Sequence, residues 1–170
     1  MTSKKTKNSK NHTSQKDDLK RLIENYKILN KGKEKQKLVK QNDEIWSLIV
    51  RIRDNFKCRM CGRVSKYVEA AHIIGRSNWA TRWDTRNGIS LCYYCHRFKI
   101  HGGGMTEEER IEFYKSVLGE ETYNELLQLS KQPVKRNLAY AEYYNRLLRA
   151  EFQKLTGLTF EEYKKEVKSK

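Results

Sequence analysis

Proline occurs once in this chain of 170 residues, at Pro133, so the ring itself dictates only one helix break. No apolar run approaches the roughly 18 residues that a membrane span needs. The first 20 residues hold Lys and Asn where a secretory leader would need an apolar stretch. Neither a span nor export is therefore expected, and the chain reads as cytoplasmic. Acidic residues are scarce as well, 21 against 36 Lys and Arg, which leaves a formal net charge of +15. Apolar residues make up 37% and charged residues 34%, so part of the chain is expected to lie outside any core. One compact unit with extensions is the expected organisation.

Cysteine is limited to four residues, and in a reducing compartment these are not expected to pair as structural disulfides. They fall into two CxxC units, Cys58-Arg-Met-Cys61 and Cys92-Tyr-Tyr-Cys95, separated by 30 residues. Each two-residue gap lets both thiolates of a pair reach one tetrahedral ion, which points to zinc. The second pair followed by His96 also matches the pattern of covalent haem attachment, but that chemistry needs an exported protein and leaves the first pair unexplained. A thioredoxin-like redox role would need a βαβ context that neither pair has.

The positive charge is unevenly placed. Residues 1–40 carry 13 basic against 4 acidic residues and residues 41–104 carry 11 against 5, whereas residues 105–170 are balanced at 12 against 12. The excess thus coincides with the part that holds every Cys and every His, so the chemical site is expected to meet a polyanion.

Four segments follow from the pattern. Residues 1–18 are Lys, Asn, Ser and Thr with little to bury and read as a disordered basic arm. Residues 19–41 read as a basic segment, helical in its first half and solvated over 31–40. Asn42 has the position of an N-cap, with Asp43 and Glu44 in the first turn and Ile45, Leu48, Ile49 and Ile52 on one face, which predicts a helix from there to about Asn55. Tyr67–Ile74 predicts a short strand ending at or near His72, Asn87-Gly88 a turn, 89–91 a second strand, and Tyr93–Ile100 a helix stopped by glycines 102–104. Residues 42–104 are thus a small ββα unit that could not fold without a metal staple. Residues 105–170 predict helices, opened by capping-box spacings at Thr106 with Glu109 and Thr159 with Glu162 and interrupted at Gly119 and Pro133.

The stretch Cys58–His101 contains AHII at 71–74, GRS at 75–77, DTRNGISLC at 84–92 and CHRFKIH at 95–101. It resembles the four-cysteine branch of the HNH endonuclease family. The resemblance implies a ββα-metal finger, so the expected fold class is α+β and mainly helical, with a zinc-stapled finger and helical extensions on both sides. It further implies a metal-dependent DNA endonuclease in which His72 is the general base, Asn87 holds the loop that aims it, and His96 binds a catalytic magnesium or manganese ion. Zinc on Cys58, Cys61, Cys92 and Cys95 would be structural. Many members place an ion ligand just before the first His; this chain has Ala71 there, which leaves Glu69 or His101 to assist His96. On an α-helix, though, His101 would point about 140° away from His96 and act as a phosphate contact or helix-end residue. Arg76, Arg82, Arg86, Arg97 and Lys99 flank the site as expected contacts to DNA phosphates. Trp79 and Trp83 are expected to pack over the finger rather than stack on bases. The helical region after the glycines is similar to phage recombination endonucleases of the NinG type, which implies branched DNA and, for a phage-encoded chain, the host cytoplasm. The rival reading is a zinc-finger module that binds DNA without cutting it.

Overall fold

The computed structural model describes residues 10–169, and residues 1–9 of the expected N-terminal arm lie outside them. The fold is mainly helical with one small sheet. In chain order it consists of helix α1 (Lys10–Arg53), strand β1 (Glu69–His72), a 3-10 turn (Thr85–Asn87), strand β2 (Gly88–Leu91), a π-helix (Cys95–Ile100), and helices α2 (Glu107–Leu118), α3 (Glu120–Ser130), α4 (Leu138–Thr156) and α5 (Phe160–Lys168). Among the described residues no helix is long and apolar enough to cross a membrane.

Three expected segments merge into α1. Residues 10–18, expected in a disordered arm, and 31–40, expected as a solvated run, are helical and continuous with the helix expected from Asn42. Lys, Gln, Glu and Leu are all good helix formers, and no proline interrupts them. Gly32 costs only about 1 kcal/mol in a helix interior, too little to break a rod anchored at its far end. Residues 20–31 are exposed on every side.

Asn42 is not a cap but a buried cross-link between helices. Its Nδ2 donates to the Ala141 carbonyl at 2.8 Å, and its Oδ1 accepts from Asn145 Nδ2 at 2.7 Å. A polar residue followed by two acids mimics a helix start, and only the approach of α4 reveals the other role. Asp43 is also redirected: its carboxylate receives the Arg82 guanidinium at 2.9 and 2.6 Å and Trp83 Nε1 at 2.8 Å.

Two apolar clusters form the interior. The first joins Ile45, Trp46, Ile49 and Val50 of α1 to Trp83, Leu148, Phe152 and Phe160. The second surrounds the cysteines with Ala71, Ile89, Leu91, Ile100, Tyr114 and Tyr123. Trp79 and Trp83 pack edge to face in the first cluster, among α1 and α4 residues rather than over the finger as expected.

The sheet is antiparallel, with Glu69 opposite Leu91 and His72 opposite Gly88. Asn87-Gly88 is not the hairpin turn that its sequence suggests. Gly88 has φ −131° and ψ 142°, an extended conformation that any residue adopts, and it opens β2. Glycine is required for space: a Cβ there would lie 2.5 Å from Val50 Cγ2 and 2.6 Å from Trp46 Cζ2. Gly88→Ala is therefore expected to cost about 1–3 kcal/mol, visible as a lowered thermal midpoint. It should also push Trp46 off the histidine against which that ring stacks.

Candidate active site

The two sulfur clamps are built by different elements. After α1, residues Asn55 and Phe56 adopt left-handed φ of 53° and 51°, turning the chain into a narrow loop closed by the Lys57–Val64 bridge. Within it the Cys58 N–H donates to the Arg63 carbonyl and Gly62, at φ +75°, donates to the Cys58 carbonyl. The second clamp spans the end of β2 and the first turn of the π-helix. The four sulfurs lie within 4.8 Å of one another, and Cys61 and Cys92 are 3.7 Å apart. Zn–S bonds of about 2.3 Å in a tetrahedron set sulfurs about 3.8 Å apart, so the cluster fits zinc. Burial opposes ionisation of Cys58, yet the backbone N–H groups of Cys61, Cys92 and Met60 aimed at its sulfur outweigh that, and its pKa falls from 9.0 to about 7. Donors aimed at a sulfur suit a bound thiolate.

Beside β1 lies an open cleft of about 620 Å³. Its walls include Arg51 of α1, Glu69 and His72 of β1, and His96, Arg97 and His101 from the π-helix and its end, with Arg76 on the loop between the strands. The structure thus brings His72 and His96 into one space.

His72 is fixed on two sides. Its ring stacks on Trp46 with centroids 3.8 Å apart and planes 11° from parallel, and its Nε2 lies 2.9 Å from the Arg82 carbonyl oxygen. A carbonyl only accepts, so Nε2 carries the proton and Nδ1 holds the free lone pair. Burial pushes the His72 pKa below the ordinary 6.5, assisted by the charges of Arg82 and Arg76 and opposed by the Arg82 carbonyl and Asp43. The imidazole is consequently neutral at cellular pH.

Asn87 is fully buried beneath this histidine's loop. Its Oδ1 accepts from the Ile74 N–H at 2.7 Å, and its Nδ2 donates to the carbonyls of Ile74 and Thr81 at 2.9 and 3.0 Å. These bonds tie both ends of the 74–81 loop to the start of β2, and the carbonyl that holds His72 follows one residue after Thr81.

His96 is held through its other nitrogen. Its Nδ1 lies 2.6 Å from Glu69 Oε2, so Nδ1 carries the proton and Nε2 offers its lone pair to the cleft. Burial tends to raise the Glu69 pKa, but hydrogen bonds from His96 and Arg97 outweigh it and hold the carboxylate below its ordinary 4.5. A carboxylate behind a histidine is the usual arrangement for orienting a metal ligand.

His101 is where the expected helix geometry fails. The His101 N–H bonds to the carbonyl of His96, five residues back, and this π register brings residue 101 over residue 96 instead of 140° around. The two Nε2 atoms come to 3.2 Å. An ion held at about 2.0–2.1 Å by each imidazole nitrogen can bridge that gap, so the pair fits one divalent cation. Ala71 is buried in the sulfur-side core, consistent with its offering no ligand.

The expected phosphate contacts divide. Arg76 and Arg97 line the cleft. Arg82 is turned inward, with its side chain only 14% exposed against Asp43, and Arg86 is engaged by Asp84 and Glu125. Lys99 is half-buried and not among the cleft's lining residues. Sequence reasoning missed Arg51 and Trp46, both contributed by α1. Their helical spacing gave no sign that one packs under the histidine and the other faces the cleft.

No curated protein and no solved structure gives a significant match to the chain. Residues 58–98, which span both sulfur clamps and reach His72, Asn87 and His96, match the model of the HNH endonuclease family; at that level the segment points to a nuclease, a phosphodiester hydrolase acting on nucleic acid.

Proposed function

We propose that the chain is a metal-dependent DNA endonuclease whose residues 42–104, which begin with the end of the long basic helix, form a ββα-metal finger followed by the C-terminal helices. The observation that carries this reading is the pairing of tautomers across one cleft. His72, its Nε2 proton held by the Arg82 carbonyl, keeps Nδ1 unprotonated, while His96, with His101 beside it, presents Nε2.

His72 Nδ1 is the general base that takes a proton from the attacking water, and Trp46 and the Arg82 carbonyl prevent its ring from turning. Asn87 positions it by holding the 74–81 loop. Arg76 and Arg97 bind the phosphates on either side of the reacting one. His96 and His101 would hold a divalent cation, magnesium or, better suited to two imidazoles, manganese, which neutralises charge on the phosphate and the departing oxygen. Glu69 keeps His96 in the tautomer this requires. We extend the same proposal to phage recombination with branched DNA as substrate, on the sequence resemblance of the helical region after the glycines and the spacing of the finger alone.

The test is nicking of supercoiled plasmid by the purified chain with magnesium or manganese, and with EDTA added. Open circles are expected only with the ion. No nicking with any divalent ion would leave the chain a DNA-binding module. The pH profile supplies a further check. His72 acts only when unprotonated, and its pKa lies below 6.5, so the cleavage rate should be level from neutral pH upward and fall only on the acid side of 6.5. A rate still climbing steeply above pH 7.5 would exclude His72 as the group that titrates.

A further inference from the structure

From the face of the π-helix turned away from the core, we infer that Tyr93, Tyr94 and Phe98 form a stacking platform for unpaired DNA bases beside the cleft, so that the preferred substrate carries a gap, flap or branch next to the cut phosphate. The inference rests on the nuclease reading and adds to it the surface that would hold unpaired bases. These three large aromatic side chains are 61%, 57% and 53% exposed, although the cysteines on either side of the tyrosines are buried. They touch one another: Tyr94 and Phe98 stack with centroids 5.5 Å apart and planes 25° from parallel, while the Tyr93 ring meets Phe98 edge to face at 6.1 Å. Mutual contact fixes the rings, so a base settling on them loses little side-chain freedom to order.

The occupant follows from charge and from continuity with the cleft. Arg97 and Lys99 flank Phe98, residues 92–101 contain no acid, and Arg97, although paired with Glu69, keeps 53% of its side chain exposed, so the patch favours a polyanion over a basic or neutral surface. Arg97 also lines the cleft, which puts the aromatic face next to the place where the phosphate backbone would lie. A fully paired duplex hides the faces of its bases in the stack, and only an unpaired nucleotide presents one to an aromatic ring.

The test compares the intact chain with a Tyr94→Leu, Phe98→Leu double variant, both zinc-loaded and without added divalent ion. Each is titrated into a fluorescein-labelled duplex containing a short unpaired thymidine gap and into a fully paired duplex of equal length. The intact chain should bind the gapped DNA at least about ten-fold more tightly, and the variant should retain no more than about a two-fold preference. Equal affinities in the intact chain, as for a patch that docks a protein, or an undiminished preference in the variant, would overturn the platform. Should the variant fail to fold, 5-iodouracil placed in the gap of DNA bound to the intact chain should crosslink to the 93–98 segment, and crosslinks found only elsewhere would overturn it. Plasmid nicking run in parallel separates the two readings. Nicking without any gap preference rejects the platform alone, whereas a gap preference that the variant loses, in a chain that never nicks, rejects the nuclease alone.

Discussion

Cys58→Ser is expected to reduce zinc from one ion per chain to near none and to abolish nicking. Cys58 is 1% exposed and contributes both to the sulfur cluster and to the apolar cluster around β1 and β2. Binding of a structural zinc contributes on the order of 10–16 kcal/mol in small fingers, comparable to or larger than the whole stability of an ordinary domain. Without the ion, four thiols packed within 4.8 Å lose the bonds that justify the burial of Cys58, Cys92 and Cys95. The loss should be confined, because α1, α4 and α5 share a cluster that includes no cysteine. Circular dichroism should therefore retain most of the helical signal while β1, β2 and the π-helix lose their protection from amide exchange. Metal analysis and exchange measurements together check this, and a variant that kept both zinc and nicking would show the cluster to be incidental.

The second large effect is on chemistry rather than folding. His72→Ala should lower the plasmid nicking rate by about 10²–10⁴-fold, the usual contribution of a positioned acid or base. DNA affinity measured without divalent ion, and zinc content, should stay near those of the intact chain. Some stability will be lost as well, since the Arg82 carbonyl loses its donor and Trp46 its stacking partner. An unpaired buried acceptor costs about 1–3 kcal/mol, which a thermal melt would register without unfolding the chain at assay temperature. A nicking rate that fell no more than the fraction of folded protein would remove His72 from the mechanism.

Most elements of the fold can be read from the chain because their signals are local. Both capping boxes, Thr106 with Glu109 and Thr159 with Glu162, form as their spacing predicts, and the two strands end within a few residues of the expected positions. The clustering of the four cysteines is equally legible, since CxxC spacing is a local constraint. What could not be read depends on neighbours far along the chain. Asn42 resembles a cap until α4 supplies Ala141 and Asn145, and Gly88 resembles a turn residue until α1 supplies Trp46 and Val50. Arg82 looks like one more basic residue near a phosphate site until Asp43 claims it.

His101 was hidden for a different reason. Its position relative to His96 depends on whether the helix closes bonds to the fourth or the fifth residue back, and composition alone does not choose between these registers. The π register turns a histidine expected well around the helix into the partner of His96 at 3.2 Å. It also accounts for a cleft that lacks a ligand at Ala71 and still holds two convergent imidazoles.

The most direct measurement is of the ends that cleavage leaves. Plasmid nicked by the intact chain with manganese should be resealed by DNA ligase, because water activated by His72 is expected to attack in line with the 3′-oxygen, whose departure leaves a 3′-hydroxyl and a 5′-phosphate. Open circles that ligase cannot close, or nicks made equally well by a chain lacking the His72 imidazole, would contradict His72-activated attack with the 3′-oxygen departing.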